Sequence, residues 1–313
     1  MKINKTLIIL SLLLIFCISL GAVSATNGTD MEDKIDINDN RVTVVESSGN
    51  LVEINTVNAG ETGNFTSLNE TIQNSENNII YLNQDYKFDN ESDNGLKNGI
   101  LISKNNSIID GQNHTIDGST LARAFRVTAK NVTIINLNFV NCFNSEYGGT
   151  ICFETNGFGS VSGCSFVDCR VISNGGASVY GGAIVCGKNC SVSGCSFVGC
   201  NVTGNGVGAF GGAIYLNDAN GSVIDCSFVG CNVTGNGVGA GGVIFVNGVN
   251  GYISNCSFFN INTKGIGGVI YLSDNNESVI DCSFVNVYSS NEGGAIFVNG
   301  VNGYISNCSF FNI

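Results

Sequence analysis

From Gly148 onward, apolar and polar residues alternate in blocks that repeat in a fixed order. Each block opens on Gly-Gly and closes on a Cys-Ser-Phe run. The blocks run from Gly148-Gly149 to Phe166, Gly181-Gly182 to Phe197, Gly211-Gly212 to Phe228, Gly241-Gly242 to Phe258, Gly267-Gly268 to Phe284 and Gly293-Gly294 to Phe310. Aligning them produces columns. Phe139, Phe166, Phe197, Phe228, Phe258, Phe284 and Phe310 form one. Val161, Val192, Val223, Ile253, Val279 and Ile305 form a second, three residues before each Cys. Ile151, Ile184, Ile214, Ile244, Ile270 and Ile296 form a third, with Phe153, Cys186, Leu216, Val246, Leu272 and Val298 two residues later. Spacing of two places the last two columns on one face of a strand. The period of roughly 26 to 33 residues is too long for a strand pair and fits one turn of a solenoid with three short strands per coil. The fold expected is all-β: a right-handed, single-stranded parallel β-helix.

Earlier segments read differently. Lys2 and Lys5, the apolar run Leu7–Leu20 and the small residues Val23-Ser24-Ala25 predict a secretory signal peptide over 1–25. Residues 26–60 are polar and acidic and read as a linker with one short strand at Arg41–Val45. Residues 61–141 read as the cap and first coils. Ser67 and Glu70 fit a capping box, and Leu68 and Ile72 share a helical face, which predicts a short helix covering the open first coil. The regular coils occupy 142–313. They stop at Ile313, a core column position, which predicts a truncated array with an open edge prone to edge-to-edge self-association.

Composition narrows the function. The chain has 313 residues, 42 Gly, no Pro or Trp, and a net charge of −12. In the repeats Arg170, Lys188 and Lys264 are the only cations, so a nucleic-acid surface is excluded. No run after the signal segment is apolar enough to span a membrane. The 14 Cys suggest disulfides, but Cys164, Cys195, Cys226, Cys256, Cys282 and Cys308 align with Leu137, and Cys142, Cys169, Cys200 and Cys231 align with Ile261, Val287 and Ile313. Interchange with aliphatic residues marks them as core thiols. Cys190 lies outside these columns and is expected to be an exposed thiol.

No catalytic, cofactor or metal site is expected. Asp225 and Asp281 alternate with Asn and Gly in their column, a turn signature. Asp218 and Asp274 also lie in turns, with too few neighbouring ligands for calcium. His114 is the single histidine, in an early Ile-Asp-Gly turn, and a lone surface histidine is a weak acid–base candidate. One column does point outward, between the two inward residues after each Gly-Gly: Cys152, Val185, Tyr215, Phe245, Tyr271 and Phe297. Its last four members would form an aromatic ladder suited to sugar rings or a protein partner, or one that packs beneath loops. Sequons, including Asn69, Asn90 and Asn232, would permit glycosylation of a secreted chain.

Gly-Gly-Ala-Ile followed by Ile-Ser-Asn-Cys-Ser-Phe resembles the repeats of polymorphic outer-membrane proteins, and more closely the adhesin-like proteins of methanogenic archaea. Ile109-Asp110-Gly111 and Ile116-Asp117-Gly118 resemble the first coils of that pectin-lyase-like fold. The resemblance implies a secreted or cell-surface adhesin-like protein that meets surface glycans or proteins of another cell. A polysaccharide-active enzyme of the same fold and a structural envelope spacer are the alternatives.

Overall fold

The computed structural model describes residues 62–313, apart from 155, 174, 176, 206, 207, 236–239, 265, 266 and 291, together with the strands Asp36–Asn38, Arg41–Val45 and Leu51–Ile54. The signal segment lies outside the described residues. The stretch read as a linker carries a three-stranded antiparallel sheet, with the expected strand Arg41–Val45 at its centre.

Residues 62–313 form a parallel β-solenoid of three long sheets, of 9, 9 and 8 strands. Within each coil the chain visits them in the same order. Sheet I holds strands such as Ser191–Ser193 and Ser222–Ile224, sheet II Ser196–Val198 and Ser227–Val229, and sheet III Ile184–Cys186 and Ile214–Leu216. Equivalent residues pair in register, Val192 with Val223, Phe197 with Phe228 and Ile184 with Ile214. The columns read from the sequence are therefore the inward faces of the three sheets.

The core is a set of stacks. Rings of the phenylalanine column lie 4.7 to 5.0 Å apart from Phe139 to Phe310 and nearly parallel, because register places each on its copy in the next coil. Burying one such side chain is worth about 1.5–3 kcal/mol before entropy. The cysteine columns fill the corners as expected. Cys169, Cys200 and Cys231 are unbridged and fully buried, and burial raises the Cys200 thiol well above its ordinary range. At Ile305, Phe310 and Ile313 in the last coil, the inward positions are about half exposed.

The corners explain the Asp/Asn/Gly mixture. Asp225, Asn255, Asp281 and Asn307 all take positive φ near 50–56°. Short polar side chains tolerate that conformation. They also bond along the axis: Asn255 Nδ2 donates to Asp225 Oδ1 at 2.6 Å, and Asn307 donates to Asp281 in the same way. Gly-Gly needs both glycines, for different reasons. Gly181 has φ +61°, whereas a Cβ on Gly182 would lie 2.0 Å from the Gly212 carbonyl oxygen.

The helix α1 (Phe65–Gln73) covers the first coil with Phe65, Leu68 and Ile72. It starts earlier than the capping box implied. Asn64 is the N-cap and accepts from the Ser67 N–H at 2.9 Å, so Ser67 lies inside the first turn. The buried Asp93 adds a second cap from another segment, accepting from the Phe65 and Thr66 N–H groups and the Thr66 hydroxyl.

Three strands per coil is too few for the middle of the array. Between sheets II and III the middle coils make an excursion that builds two further parallel sheets. One joins Phe143–Asn144, Arg170–Ser173, Asn201–Gly204 and Asn232–Gly235; the other joins Val179–Tyr180, Ala209–Phe210 and Ala240–Gly241. Val171, Val179, Val202, Ala209 and Val233 form a separate small core between them.

Candidate functional site: a groove on the third sheet

The outward column of sheet III runs in register through Leu101, Arg126, Cys152, Val185, Tyr215, Phe245, Tyr271 and Phe297. The expected aromatic ladder exists. Tyr215, Phe245, Tyr271 and Phe297 stack with centroids 4.6 to 5.5 Å apart. It is not exposed along its whole length, however. Tyr215 and Phe245 are each 7% accessible, because the excursion folds over them. Tyr180 packs on Tyr215 at 4.7 Å and Phe210 on Phe245 at 5.0 Å.

Two parallel rows therefore face each other. The floor is the sheet III column, and the wall is the row Tyr147, Tyr180, Phe210 and Gly241, paired in register. Where the floor residue is large the wall residue can be absent: a Cβ on Gly241 would lie 2.2 Å from the Phe245 ring. Where the floor shrinks to Cys152 and Val185, which are themselves 2% and 8% accessible, space remains above the smaller side chains. A groove of about 560 Å³ opens there, lined by Tyr147, Tyr180, Tyr215, Glu154, Lys188 and Asp218 over Cys152 and Val185. That is the size and mixed apolar-polar character of a small-ligand site.

Its walls are fixed. Arg123 is buried behind Tyr147, donating from Nε to the Gly148 carbonyl at 2.7 Å and also to the carbonyls of Tyr147 and Asn98. Its guanidinium lies 5.6 Å from the Tyr147 ring centroid, a cation–π contact. Arg126 Nε donates to Glu154 Oε1 at 2.7 Å, and this bond holds the Arg126 pKa above its usual value. Burial pushes the phenols of Tyr147 and Tyr215 and the thiol of Cys152 upward, so all three are neutral near pH 7. Asp218 Oδ1 accepts from the Ala219 N–H at 2.7 Å, leaving its second oxygen for the groove.

The other singled-out residues lie elsewhere. Asp225 and Asp281 are corner residues bonded to Asn255 and Asn307, and they do not line the groove. His114 Nδ1 meets Asp85 Oδ1 at 3.2 Å, also away from it. The expectation of an exposed Cys190 thiol is corrected: Cys190 is fully buried and bridged to Cys186. Its coil is one residue short at that corner, which brings the two sulfurs together. Among the described residues no group of three His, Cys, Asp or Glu side chains is placed to hold a metal, and no helix is long and apolar enough to cross a membrane. Cys152 and Val185 are legible in the ladder column of the sequence, whereas Tyr147 and Tyr180 are not. The signal available was the drop in side-chain size within that column.

No protein-family model matches the chain, and no curated protein matches it. Among solved structures, a chain titled ORF18 of Geobacillus virus E2 is similar at 15% identity, over 88% of this chain and 68% of that one, with a TM-score of 0.30. A likeness at that level bears on neither ligand nor activity.

Proposed function

We propose that this is a secreted, surface-displayed adhesin-like protein that acts in attachment without catalysis, and that its groove takes a sugar unit of a surface glycan. The observation that carries the reading is the aromatic-walled groove opened by the step from Tyr215 down to Val185 and Cys152. Tyrosine faces offer flat apolar area to a sugar ring, and Lys188, Asp218 and Glu154 supply donors and acceptors for its hydroxyls. The half-buried tail of the ladder, Tyr271 and Phe297, continues the aromatic strip beyond the groove.

A glycan array probed with the purified chain tests this, alongside the Tyr147→Ser/Tyr180→Ser variant. The reading expects array binding that falls at least tenfold in the variant at unchanged circular dichroism, since aromatic hot spots carry most contact energy. Wild-type binding that survives both substitutions would overturn it. A parallel Tyr271→Ser/Phe297→Ser variant separates groove from ladder tail.

One observation favours a second reading, a polysaccharide-active enzyme. Glu154 and Asp218 place two carboxylates on one groove, the equipment of glycoside hydrolysis. Release of reducing ends from a polysaccharide, abolished by Asp218→Asn, would establish it.

A further inference from the structure

We propose that the Cys186–Cys190 bridge is a positioning element of the groove, clamping the corner Gly187–Asn189 so that the Lys188 ammonium stands at its edge. The proposal rests on the reading of the groove as a binding site, and three observations carry it.

The first is a length difference. In four neighbouring coils, four residues separate the end of the sheet III strand from the residue before sheet I, as in Leu216 to Gly221 and Val246 to Gly251. Between Cys186 and Cys190 there are three. Asn189, Asn220, Asn250, Asn276 and Asn302 all keep positive φ at the end of this corner, so the missing residue lies next to Lys188.

The second is how the other corners are held. In three of the four, the strand's last side chain occupies the space beside a glycine: a Cβ on Gly221 would lie 3.0 Å from Leu216 Cδ1, one on Gly251 2.3 Å from Val246 Cγ1 and one on Gly303 2.7 Å from Val298 Cγ1, while the fourth carries Glu277. Those three corners are wedged by apolar contact. In the short corner both residues are Cys, both fully buried, and a covalent bond replaces the wedge.

The third is location. Gly187 and Lys188, held between the two sulfurs, line the groove. Among the described residues Lys188 makes no ion pair. A free ammonium on a long stem has many rotamers, and anchoring its backbone on both sides lowers the entropy lost when it engages a ligand.

The test uses the full chain, bridged, beside the Cys186→Leu/Cys190→Gly variant, which places the two side chains of the Leu216/Gly221 corner on the shorter loop. Acetylation of Lys188 and hydrogen exchange across 187–189 are read by mass spectrometry, and glycan affinity is read in parallel. Wild-type chain prepared reduced serves as a second sample should the variant fold poorly. Removing the bridge should raise exchange and labelling at least threefold and weaken glycan binding about tenfold. Lys188→Ala should weaken binding similarly, and the combined variant should lose no more than either alone. A lowered melting temperature with unchanged exchange, labelling and affinity would make the bridge merely structural and end the proposal. If the bridged protein binds no glycan while exchange and labelling still rise, the glycan reading fails and the clamp stands.

Discussion

The middle and final coils are built from one core and dressed differently. Equivalent side chains of the middle coils are 30 or 31 residues apart, as Asn220 and Asn250 or Ser191 and Ser222 are, whereas those of the final coils are 26 apart, as Asn260 and Asn286 are. The inward columns do not register this change, since Phe197 and Phe284 are buried equally. The extra residues all enter between sheets II and III, where they build two accessory sheets and a wall. The same ladder position is covered at Tyr215 and lies nearer the surface at Phe297. Core columns set the solenoid, while the connection between sheets II and III decides whether an outward row is walled into a groove.

Several substitutions would break or sharpen this contrast. The largest effect is expected from the shared stack. Phe197→Ala should cost about 3–5 kcal/mol, whereas Phe310→Ala, at a half-exposed position, should cost about 1 or less; denaturant unfolding measures both, and equal losses would contradict the contrast. Next is Gly182→Ala, whose Cβ would strike backbone in the adjacent coil, at about 2–4 kcal/mol, against under about 1 for Gly294→Ala, where the nearest neighbour is a side chain 3.2 Å away.

Asp93 lies outside both regions and serves as a reference. Burial pushes its carboxyl up, but the Thr66 hydroxyl and the N–H groups of Asp89, Phe65 and Thr66 outweigh that and hold it below the ordinary value. Its contribution is present at neutral pH and is lost as the pH falls through the depressed folded value. Asp93→Asn should therefore cost about 1.5–3 kcal/mol at pH 7 and flatten the acid limb of a pH–melting curve.

Glu277 gives the smallest effect, with the opposite sign. It occupies the corner position held by Gly251 and Gly303 in adjacent coils, fully buried, with Oε2 accepting from the Asp274 N–H at 3.0 Å and Oε1 unpartnered. Burial raises its pKa from 4.5 to about 8. The folded state holds a proton that the unfolded chain releases, so the Glu277 contribution to stability is greatest below about pH 4.5 and declines up to about 8. Glu277→Gln should remove that slope and stabilise the final coils by about 1–2 kcal/mol at pH 8. A variant with the wild-type pH dependence would show that Glu277 does not set it.

Nearly all of the core was legible in the sequence, because a solenoid repeats each inward position often enough to reveal it. The substitution of Cys by Ile261, Val287 and Leu137 identified core thiols, and the Asp/Asn/Gly mixture identified left-handed corners. The site was only half legible. Its floor lies in a repeating column, but Tyr147 and Tyr180 sit in an excursion whose Gly- and Asn-rich sequence has no strand period of its own, and their placement depends on stacking between coils. The cap of α1 was misplaced because Ser67 and Glu70 match a local motif, whereas Asp93 reaches the helix from elsewhere in the chain. The Cys186–Cys190 pair is visible only as a gap in the alignment.

The backbone hydrogen bonds between coils run along the solenoid axis, from Ser222 to Cys190, Tyr252 to Gly221 and Ser278 to Gly251. A load applied along that axis therefore opens one coil's ladder at a time instead of shearing all of them together. Each final coil would release about 90 Å of slack and each middle coil about 105–110 Å, at roughly 3.5 Å per residue. In the attachment role proposed above, this would make a shock absorber with two step lengths. Single-molecule pulling would read them as two spacings in one force trace, and the coil holding Cys186 and Cys190 would yield a shorter step until its bridge is reduced.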